Sequence, residues 1–219
     1  MEVVLFAFFL SALYLISYLF LGRLPYRYSI KSFSSGMLIF VIFLELFPQI
    51  FVNGIAFHNY KLLSLLLVLG FSLYHILDFY IYKKVRAKKK LYHELHSTGF
   101  MLDNLLKGFM LVIFFSFSDN FLLLFIPLCF AVVAESLAFS QYKNILPFYF
   151  IFCISLFYPI GAYLALFLEE VHIYAVLAVA TGAFIYFAIR DEFVKEDHEN
   201  ILAFILGLLF MFAIKFLIL

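Results

Sequence analysis

The chain alternates between long apolar blocks and short segments that hold most of its charges and turn residues. A helix needs about 20 apolar residues to cross the hydrocarbon core of a bilayer, and the blocks reach that length. They are too long for barrel strands, and lipid offers exposed backbone groups no partners, so the pattern predicts transmembrane helices. Eight helices are predicted, numbered 1 to 8 along the chain, at residues 3–21, 34–52, 62–82, 97–117, 120–140, 145–168, 171–189 and 201–219.

Composition agrees with a single transmembrane domain over residues 1–219, an all-α polytopic fold that leaves no room for a soluble domain. Of the residues, 67% are hydrophobic and 13% are charged, whereas soluble domains carry about 25% charged residues. Cys129 and Cys153 both lie in apolar runs, so neither a disulfide framework nor a thiolate metal cluster is indicated. Glu2 stands where a signal peptide would carry a basic residue, so we expect the first block to be a retained helix.

The distribution of Lys and Arg between the loops predicts the orientation of the helices. One side of the membrane has only Lys61 and Lys215. The loops of the other side hold Arg23, Arg27, Lys31, Lys83, Lys84, Arg86, Lys88, Lys89, Lys90, Lys143, Arg190 and Lys195. Because cytoplasmic loops carry the excess of basic residues, we expect a cell-membrane protein with both termini outside. The run KKVRAKKK at 83–90 fits a topology determinant and also a site for anionic lipid or a partner.

Two parts of the chain resemble each other. Helix 2 from Ser35, SGMLIFVIFLELF, is similar to helix 7 from Thr181, TGAFIYFAIRDEF. Helices 3 and 8 share a fainter similarity, VLGFSL around Gly70 and ILGLLF around Gly207. Since helices 2 and 7 would cross in opposite directions, helices 1–3 and 6–8 are predicted to form an inverted repeat around helices 4 and 5, a 3+2+3 arrangement typical of secondary transporters. Chance similarity among Phe, Leu, Ile and Gly is the alternative.

Ionisable residues inside the predicted helices are the candidate functional residues, because each is costly to place near the centre of a bilayer. Asp103 and Lys107 share one face of helix 4, with Asn104 on the adjoining face. Glu135 lies in helix 5. These residues form either a neutralised packing network or a solute path through helices 4 and 5.

Three further residues extend the candidate set. His75 and Asp78, one turn apart in helix 3, could hold a metal or relay a proton, although a pair at the membrane interface is the simpler interpretation. Glu45 lies one turn before Pro48, where a freed backbone carbonyl needs a partner, and both a structural and a functional role are open. No enzyme is expected, since the helices contain no HExxH motif, no intramembrane protease pair and no acidic doublet.

Three segments carry a resemblance to a known family. SSGMLIFVIFLELFPQ, from Ser34, and ATGAFIYFAIRDEFVKE, from Ala180, resemble the second and seventh helices of the ZIP metal transporters (Zrt- and Irt-like proteins). SLFYPIGAYL, with Pro159 and Gly161, resembles the sixth helix. The resemblance covers helices 2 to 8 and implies an eight-helix fold with external termini that moves zinc or a similar divalent cation into the cytoplasm.

The metal-binding motifs of helices 4 and 5 are where the chain departs from that family. In helix 4 the family carries His-Asn-x-Pro-Glu-Gly, and this chain has DNLLKG, with Asp103 at the His position and Lys107 at the Glu position. In helix 5 the family carries His-x-x-Pro-Glu-Gly, and AVVAES here matches only at Glu135. Tyr158 stands where many members have an acid before the helix 6 proline. The resemblance therefore implies a degenerate metal site of Asp103, Asn104 and Glu135.

Two functions are expected from this set of residues. Oxygen ligands alone suit Mg²⁺, Mn²⁺ or Ca²⁺ better than zinc, and the Lys107 ammonium would stand where a bridging cation should sit. The first expectation is a ZIP-like transporter of a divalent cation or another small solute, with the cation as substrate and no certain cofactor. The alternative is a non-transporting ZIP-like scaffold, in which a network of Lys107, Glu135 and Asp103 replaces the metal. The expected partners are the lipid bilayer, a small cation and a second copy of the chain, and not nucleic acid.

Overall fold

Eight helices of membrane-spanning length make up the architecture. The computed structural model describes residues 2–21, 26–56, 60–80, 89–117, 120–140, 147–193 and 200–218, and no strand occurs in these ranges. Each helix has an apolar stretch long enough to cross a bilayer, so the prediction of an all-α polytopic membrane protein with eight spans is confirmed. The bounds are Glu2–Ile16 with the π-helical turn Ser17–Leu21 (helix 1), Arg27–Val41 with the π-helical turn Ile42–Leu46 and Phe47–Ala56 (helix 2), Tyr60–Tyr80 (helix 3), Lys89–Phe117 (helix 4), Leu122–Ser140 (helix 5), Phe148–Ser155 (helix 6a) and Phe157–Ala165 (helix 6b), Glu170–Phe193 (helix 7) and Ile201–Ile218 (helix 8).

Helices 2 and 4 begin earlier than the hydrophobic pattern predicts. Helix 2 begins at Arg27 instead of residue 34, and helix 4 begins at Lys89 instead of residue 97. The 29 residues of helix 4 extend over about 44 Å, whereas the hydrocarbon core is only about 30 Å thick. The polar residues at its start therefore continue the helix beyond the apolar stretch, and hydrophobicity alone underestimates its length.

Prolines account for two departures from regular α-helix. Pro159 has no N–H to donate to the carbonyl four residues earlier, and helix 6, which was predicted as continuous, is interrupted at Leu156. In helix 2, the N–H of Phe47 bonds to the carbonyl of Ile42 at the end of the π-helical turn, directly before Pro48. Two of the eight helices are thus discontinuous in their hydrogen bonding at positions that a proline explains.

Three pairs of helices cross at glycines so closely that their backbones touch. The crossing pairs are Gly36 and Gly207 for helices 2 and 8, Gly70 and Gly182 for helices 3 and 7, and Gly108 and Gly161 for helices 4 and 6b. A Cβ added at any of these glycines would overlap the carbonyl oxygen that lies three residues before the partner glycine. Small residues at such contacts are the usual way for helices to pack tightly in a membrane.

The glycine crossings support the inverted repeat. In the sequence comparison, Gly36 of helix 2 corresponds to Gly182 of helix 7, and Gly70 of helix 3 corresponds to Gly207 of helix 8. A two-fold relation between the halves therefore maps the crossing of helices 2 and 8 onto that of helices 7 and 3. Both crossings join glycines that the sequence comparison relates; the offset itself is shared by the crossing of helices 4 and 6b and is therefore a property of glycine crossings rather than of the repeat.

Burial separates the helices into inner and outer ones. The apolar stretches of helices 5 and 7 are 56% buried, whereas those of helices 3 and 8 are 11% and 17% buried. Helices 3 and 8 therefore lie at the edge of the bundle, where their apolar side chains suit contact with lipid. Helix 4 has half of its apolar stretch buried, and it holds the buried charged residues of the interior.

Candidate functional site

Three ionisable side chains meet in the interior between helices 4 and 5. The Lys107 ammonium lies 2.6 Å from Oδ2 of Asp103 and also contacts Oε1 of Glu135. The side chains of Lys107 and Asp103 are 2% and 3% exposed, and that of Glu135 is 17% exposed. Lys107 is the middle residue of the apolar stretch 98–116 of helix 4. We call Asp103, Lys107 and Glu135 the charged cluster. It brings together the three ionisable residues that the sequence singled out in helices 4 and 5.

Helical spacing and a glycine explain why the charged cluster forms here. Asp103 lies one turn before Lys107, so their ion pair runs along one face of helix 4. Gly108 follows Lys107 and lets helix 6b approach helix 4 backbone to backbone. Helix 6b carries Tyr158, whose hydroxyl donates to Oε2 of Glu135 at 3.4 Å. Both carboxylate oxygens of Glu135 therefore have a partner, one charged and one neutral.

Asn104 links helix 4 to the interruption in helix 6. Its Nδ2 donates to the carbonyl oxygen of Ile154, in the last turn of helix 6a, at 3.1 Å. Carbonyls in the last turn of a helix lack their helical donor, and an amide side chain can supply one. Asn104 is fully buried, and its Oδ1 has no hydrogen-bond partner in the described part of the chain. The side-chain nitrogen of Asn104 therefore links two helices, whereas its side-chain oxygen, the atom predicted to bind a metal, has no hydrogen-bond partner among the described residues.

Two buried tyrosines lie beside the charged cluster, and sequence reasoning assigned a role to neither. The ring centroid of Tyr14, in helix 1, lies 6.2 Å from that of Tyr158 and 6.5 Å from that of Phe139. Both tyrosines are fully buried, and the hydroxyl of Tyr14 has no hydrogen-bond partner among the described residues. The sequence did contain a signal for such a role, namely a tyrosine hydroxyl inside an apolar helix, because a buried polar group normally needs a hydrogen-bond partner.

The donor atoms limit the metal chemistry of the charged cluster. Asp103, Asn104 and Glu135 offer oxygen atoms only, and both carboxylates contact the Lys107 ammonium. Within the described residues, no group of three or more His, Cys, Asp or Glu side chains is placed to hold a metal ion. A divalent metal at this site stays a prediction of the resemblance, and such an ion would compete with Lys107 for the same oxygens.

Glu45 pairs with a lysine from another helix. Its Oε1 lies 2.7 Å from Nζ of Lys215 in helix 8, and the two side chains are 15% and 31% exposed. The partner of Glu45 is therefore this ammonium, and not a backbone carbonyl freed by Pro48. Lys215 was missed as a site residue, although a lone lysine in the last apolar helix was a usable signal. We call Glu45 and Lys215 the outer ion pair.

His75 lies on the surface of helix 3, and its described ring contacts are with Phe71 and Tyr186 rather than with the charged cluster. It is exposed, and its ring centroid lies 6.4 Å from Phe71 and 5.7 Å from Tyr186 of helix 7. The backbone of Asp78 belongs to helix 3, but its side chain lies outside the described residues. The proposed pairing of His75 with Asp78 therefore stays a prediction.

Comparison with known proteins adds no assignment to this geometry. Neither a protein-family model nor a curated protein matches the chain.

Proposed function

We propose that this chain is a ZIP-like transporter of the cell membrane, which moves a small cation or another small solute between helices 4, 5 and 6. The observation that carries the proposal is the position of the charged cluster, in the buried middle of helix 4 and beside the interrupted helix 6. Ionisable residues at such a depth are costly and mark solute pathways in many membrane proteins. Secondary transporters commonly place their binding sites at discontinuous helices near the bilayer midplane.

The repeat is a second support for transport. Transporters with inverted repeats alternate access by moving one part of the repeat against another around a central site. Here helices 4 and 5, which supply the charged cluster, lie between the two predicted repeat units in the sequence. The loops rich in Lys and Arg favour a cytoplasmic position for the odd-numbered loops and an external position for both termini.

Uptake into liposomes tests the proposal. Reconstituted wild-type protein is expected to accumulate a labelled cation, and Glu135→Ala is expected to abolish uptake while the protein stays folded. Glu169→Ala is the matched control, because its carboxylate is 84% exposed and it leaves the charged cluster intact. Uptake by Glu135→Ala at the wild-type rate would remove the charged cluster from the transport path.

A non-transporting scaffold is the second candidate, and one contact favours it. Lys107 contacts both carboxylates that a metal would need, so the network can serve to hold helices 4 and 5 together. Under this alternative, the purified protein binds no stoichiometric Zn, Mn or Fe and shows no uptake. Lys107→Ala then acts on stability alone, because it removes the ammonium that Asp103 and Glu135 contact.

A repair experiment tests the resemblance to the ZIP transporters. Ala131 stands at the family's helix 5 His position, one turn before Glu135. The double variant Lys107→Glu, Ala131→His removes the internal ammonium and adds an imidazole ligand. Stoichiometric binding of zinc by this variant is expected if helices 4 and 5 are aligned correctly with the family. The complete absence of metal binding would show that the alignment is wrong.

A further inference from the structure

We propose that a layer of four aromatic side chains is the gate that closes the charged cluster from the cytoplasm. The four are Phe100, Phe139, Tyr14 and Tyr158, from helices 4, 5, 1 and 6b, and we call them the aromatic layer. The inference rests on the proposed transport function, for which it supplies the barrier on one side of the site. An aromatic core that packs these helices together and never opens is the competing interpretation.

The spacing along helices 4 and 5 places two of these rings on one side of the charged cluster. Phe139 lies one turn after Glu135, and Phe100 lies one turn before Asp103. Helices 4 and 5 are consecutive spans and cross in opposite directions, so both rings lie on the side that faces the start of helix 4 and the end of helix 5. Their ring centroids are 4.4 Å apart, with the ring planes at 77°. The orientation that the loop charges favour makes this side the cytoplasmic one.

The aromatic layer continues from this pair across helix 1 to helix 6b. The ring centroid of Tyr14 lies 6.5 Å from that of Phe139 and 6.2 Å from that of Tyr158. Helix 1 packs against helices 4, 5, 6a and 6b, so its tyrosine lies among the helices that surround the charged cluster. Phe139, Tyr14 and Tyr158 are at most 2% exposed. Apolar constrictions of this kind gate membrane pathways by excluding water.

One member of the aromatic layer is also bonded to the charged cluster. The hydroxyl of Tyr158 donates to Oε2 of Glu135, while the Lys107 ammonium contacts Oε1. A solute that binds Oε2 would compete with this hydroxyl for the same oxygen. Occupation of the site would then weaken the attachment of the aromatic layer, and a ligand can shift a closed state toward an open one only through such a difference in contacts.

The hydroxyl of Tyr14 reduces the cost of opening the aromatic layer. It is buried and has no hydrogen-bond partner among the described residues. A polar group buried in this way is unfavourable, because it has lost its hydrogen bonds to water without replacement. Water that enters through an open layer would hydrate the hydroxyl. The closed state therefore carries a penalty that opening relieves.

Side-specific labelling of a cysteine tests the inference without any transport measurement. The reporter is Ser136→Cys, at a fully buried position, with Cys129 and Cys153 replaced by alanine. Phe139 lies three residues further along helix 5, and helical side chains lean over the preceding turn, so its ring covers the reporter. A membrane-impermeant thiol reagent is added to vesicles of either orientation. Phe139→Ala should raise the labelling rate from the cytoplasmic side at least about tenfold, because this rate follows the population of the open state, and should leave the external rate unchanged.

Leu111→Ala is the matched control. Leu111 is fully buried one turn after Lys107, on the other side of the charged cluster. Its truncation also leaves a cavity in helix 4, but the rate of labelling from the cytoplasmic side should stay at the level of the reporter alone. An equal rise in Leu111→Ala and Phe139→Ala would overturn the inference, because labelling would then report a general loosening of the bundle. No rise in Phe139→Ala would overturn it as well.

Two further variants keep the inference testable if Phe139→Ala does not fold. Phe100→Ala removes the partly exposed ring of the pair, and it should raise the same cytoplasmic rate. An unchanged rate in Phe100→Ala would contradict the gate. Tyr158→Phe keeps its ring and loses only the hydroxyl that bonds to Glu135, so its rate should lie between those of the reporter alone and Phe100→Ala. A Tyr158→Phe rate equal to that of the reporter alone would contradict the attachment of the layer to the site.

Flux of labelled Zn²⁺ or Mn²⁺ separates this inference from the proposed function. A side-specific rise in labelling in a protein that shows no flux would contradict transport and leave the aromatic layer as a barrier. Flux by the wild-type protein, without any rise in labelling in Phe139→Ala and Phe100→Ala, would contradict the gate and leave transport standing.

Discussion

The charged cluster and the outer ion pair, both within the described part of the membrane helices, each join a lysine to carboxylates and differ in their environment. The outer ion pair joins one acid to one lysine, with side chains 15% and 31% exposed. In the charged cluster one lysine, 2% exposed, contacts two acids. The outer ion pair is balanced in charge and joins two helices that already cross at glycines. The charged cluster has two acids for one lysine and is the more deeply buried of the two, so the loss of one partner is expected to cost more there.

Removal of the lysine from each site is expected to give the largest contrast. Lys107→Ala removes the ammonium that two largely buried carboxylates contact and should lower the free energy of unfolding by about 3–5 kcal/mol. Lys215→Ala affects a partly exposed pair and should cost about 1 kcal/mol or less. Unfolding by denaturant in detergent micelles measures both values. Equal losses would mean that burial does not distinguish the two sites.

The glycine next to the charged cluster is expected to have the next largest effect. Gly108→Ala places a Cβ against the carbonyl of Tyr158, and such overpacking costs about 1–3 kcal/mol. Gly99→Ala, in the same helix, is the matched control, because a Cβ there meets nothing within 4 Å. A Gly108→Ala protein as stable as Gly99→Ala would show that helices 4 and 6b separate at no cost.

Exchanging the charges is expected to restore stability at the outer ion pair but not at the charged cluster. The double variant Glu45→Lys, Lys215→Glu should recover most of the loss of about 1 kcal/mol caused by either single change. The corresponding exchange Asp103→Lys, Lys107→Asp moves the ammonium by about 6 Å along helix 4, away from Glu135, and should recover little. Double-mutant cycles of unfolding measure both couplings. Recovery at both sites would indicate that the charged cluster needs only the presence of opposite charges.

The tyrosine hydroxyls are expected to give the smallest effects. Tyr158→Phe removes a hydroxyl that donates to Glu135 and should cost about 0.5–1.5 kcal/mol. Tyr14→Phe removes a buried hydroxyl without a partner among the described residues, so stability should be unchanged or slightly higher. Thermal midpoints of the two variants, measured side by side, check the difference. A greater loss in Tyr14→Phe would reveal a partner of that hydroxyl.

The features that could be predicted from the sequence are those set by local spacing or by long apolar stretches. The number of helices follows from the lengths of the apolar blocks. The pairing of Asp103 with Lys107 follows from the helical repeat, because residues four apart share a face. Predicting the contact of Lys107 with Glu135 needed a further assumption, that opposite charges buried in neighbouring helices pair with each other.

The features that were missed depend on tertiary contacts. Glu45 and Lys215 lie 170 residues apart in the chain, and no local pattern relates them. Asn104 was assigned as a ligand from the resemblance, but only the packing of helix 6a beside helix 4 shows that its amide binds the carbonyl of Ile154. The interruption of helix 6 has a local cause in Pro159. It was not predicted because a proline within a membrane helix is often accommodated by its neighbours.

The glycine crossings imply an electrical polarity along the membrane normal. Counted from the crossing glycines, Glu45 and Lys215 lie nine and eight residues onward, and the same counts in helices 7 and 3 lead to Asp191 and Asp78. An inverted repeat places these two sets of positions at opposite faces of the bilayer. At these positions one face of the bilayer therefore has Glu45 and Lys215, an acid and a base, and the other has Asp191 and Asp78, two acids. A two-fold repeat of helices whose charges do not follow the same symmetry would present different electric fields to ions that approach from the two sides of the membrane.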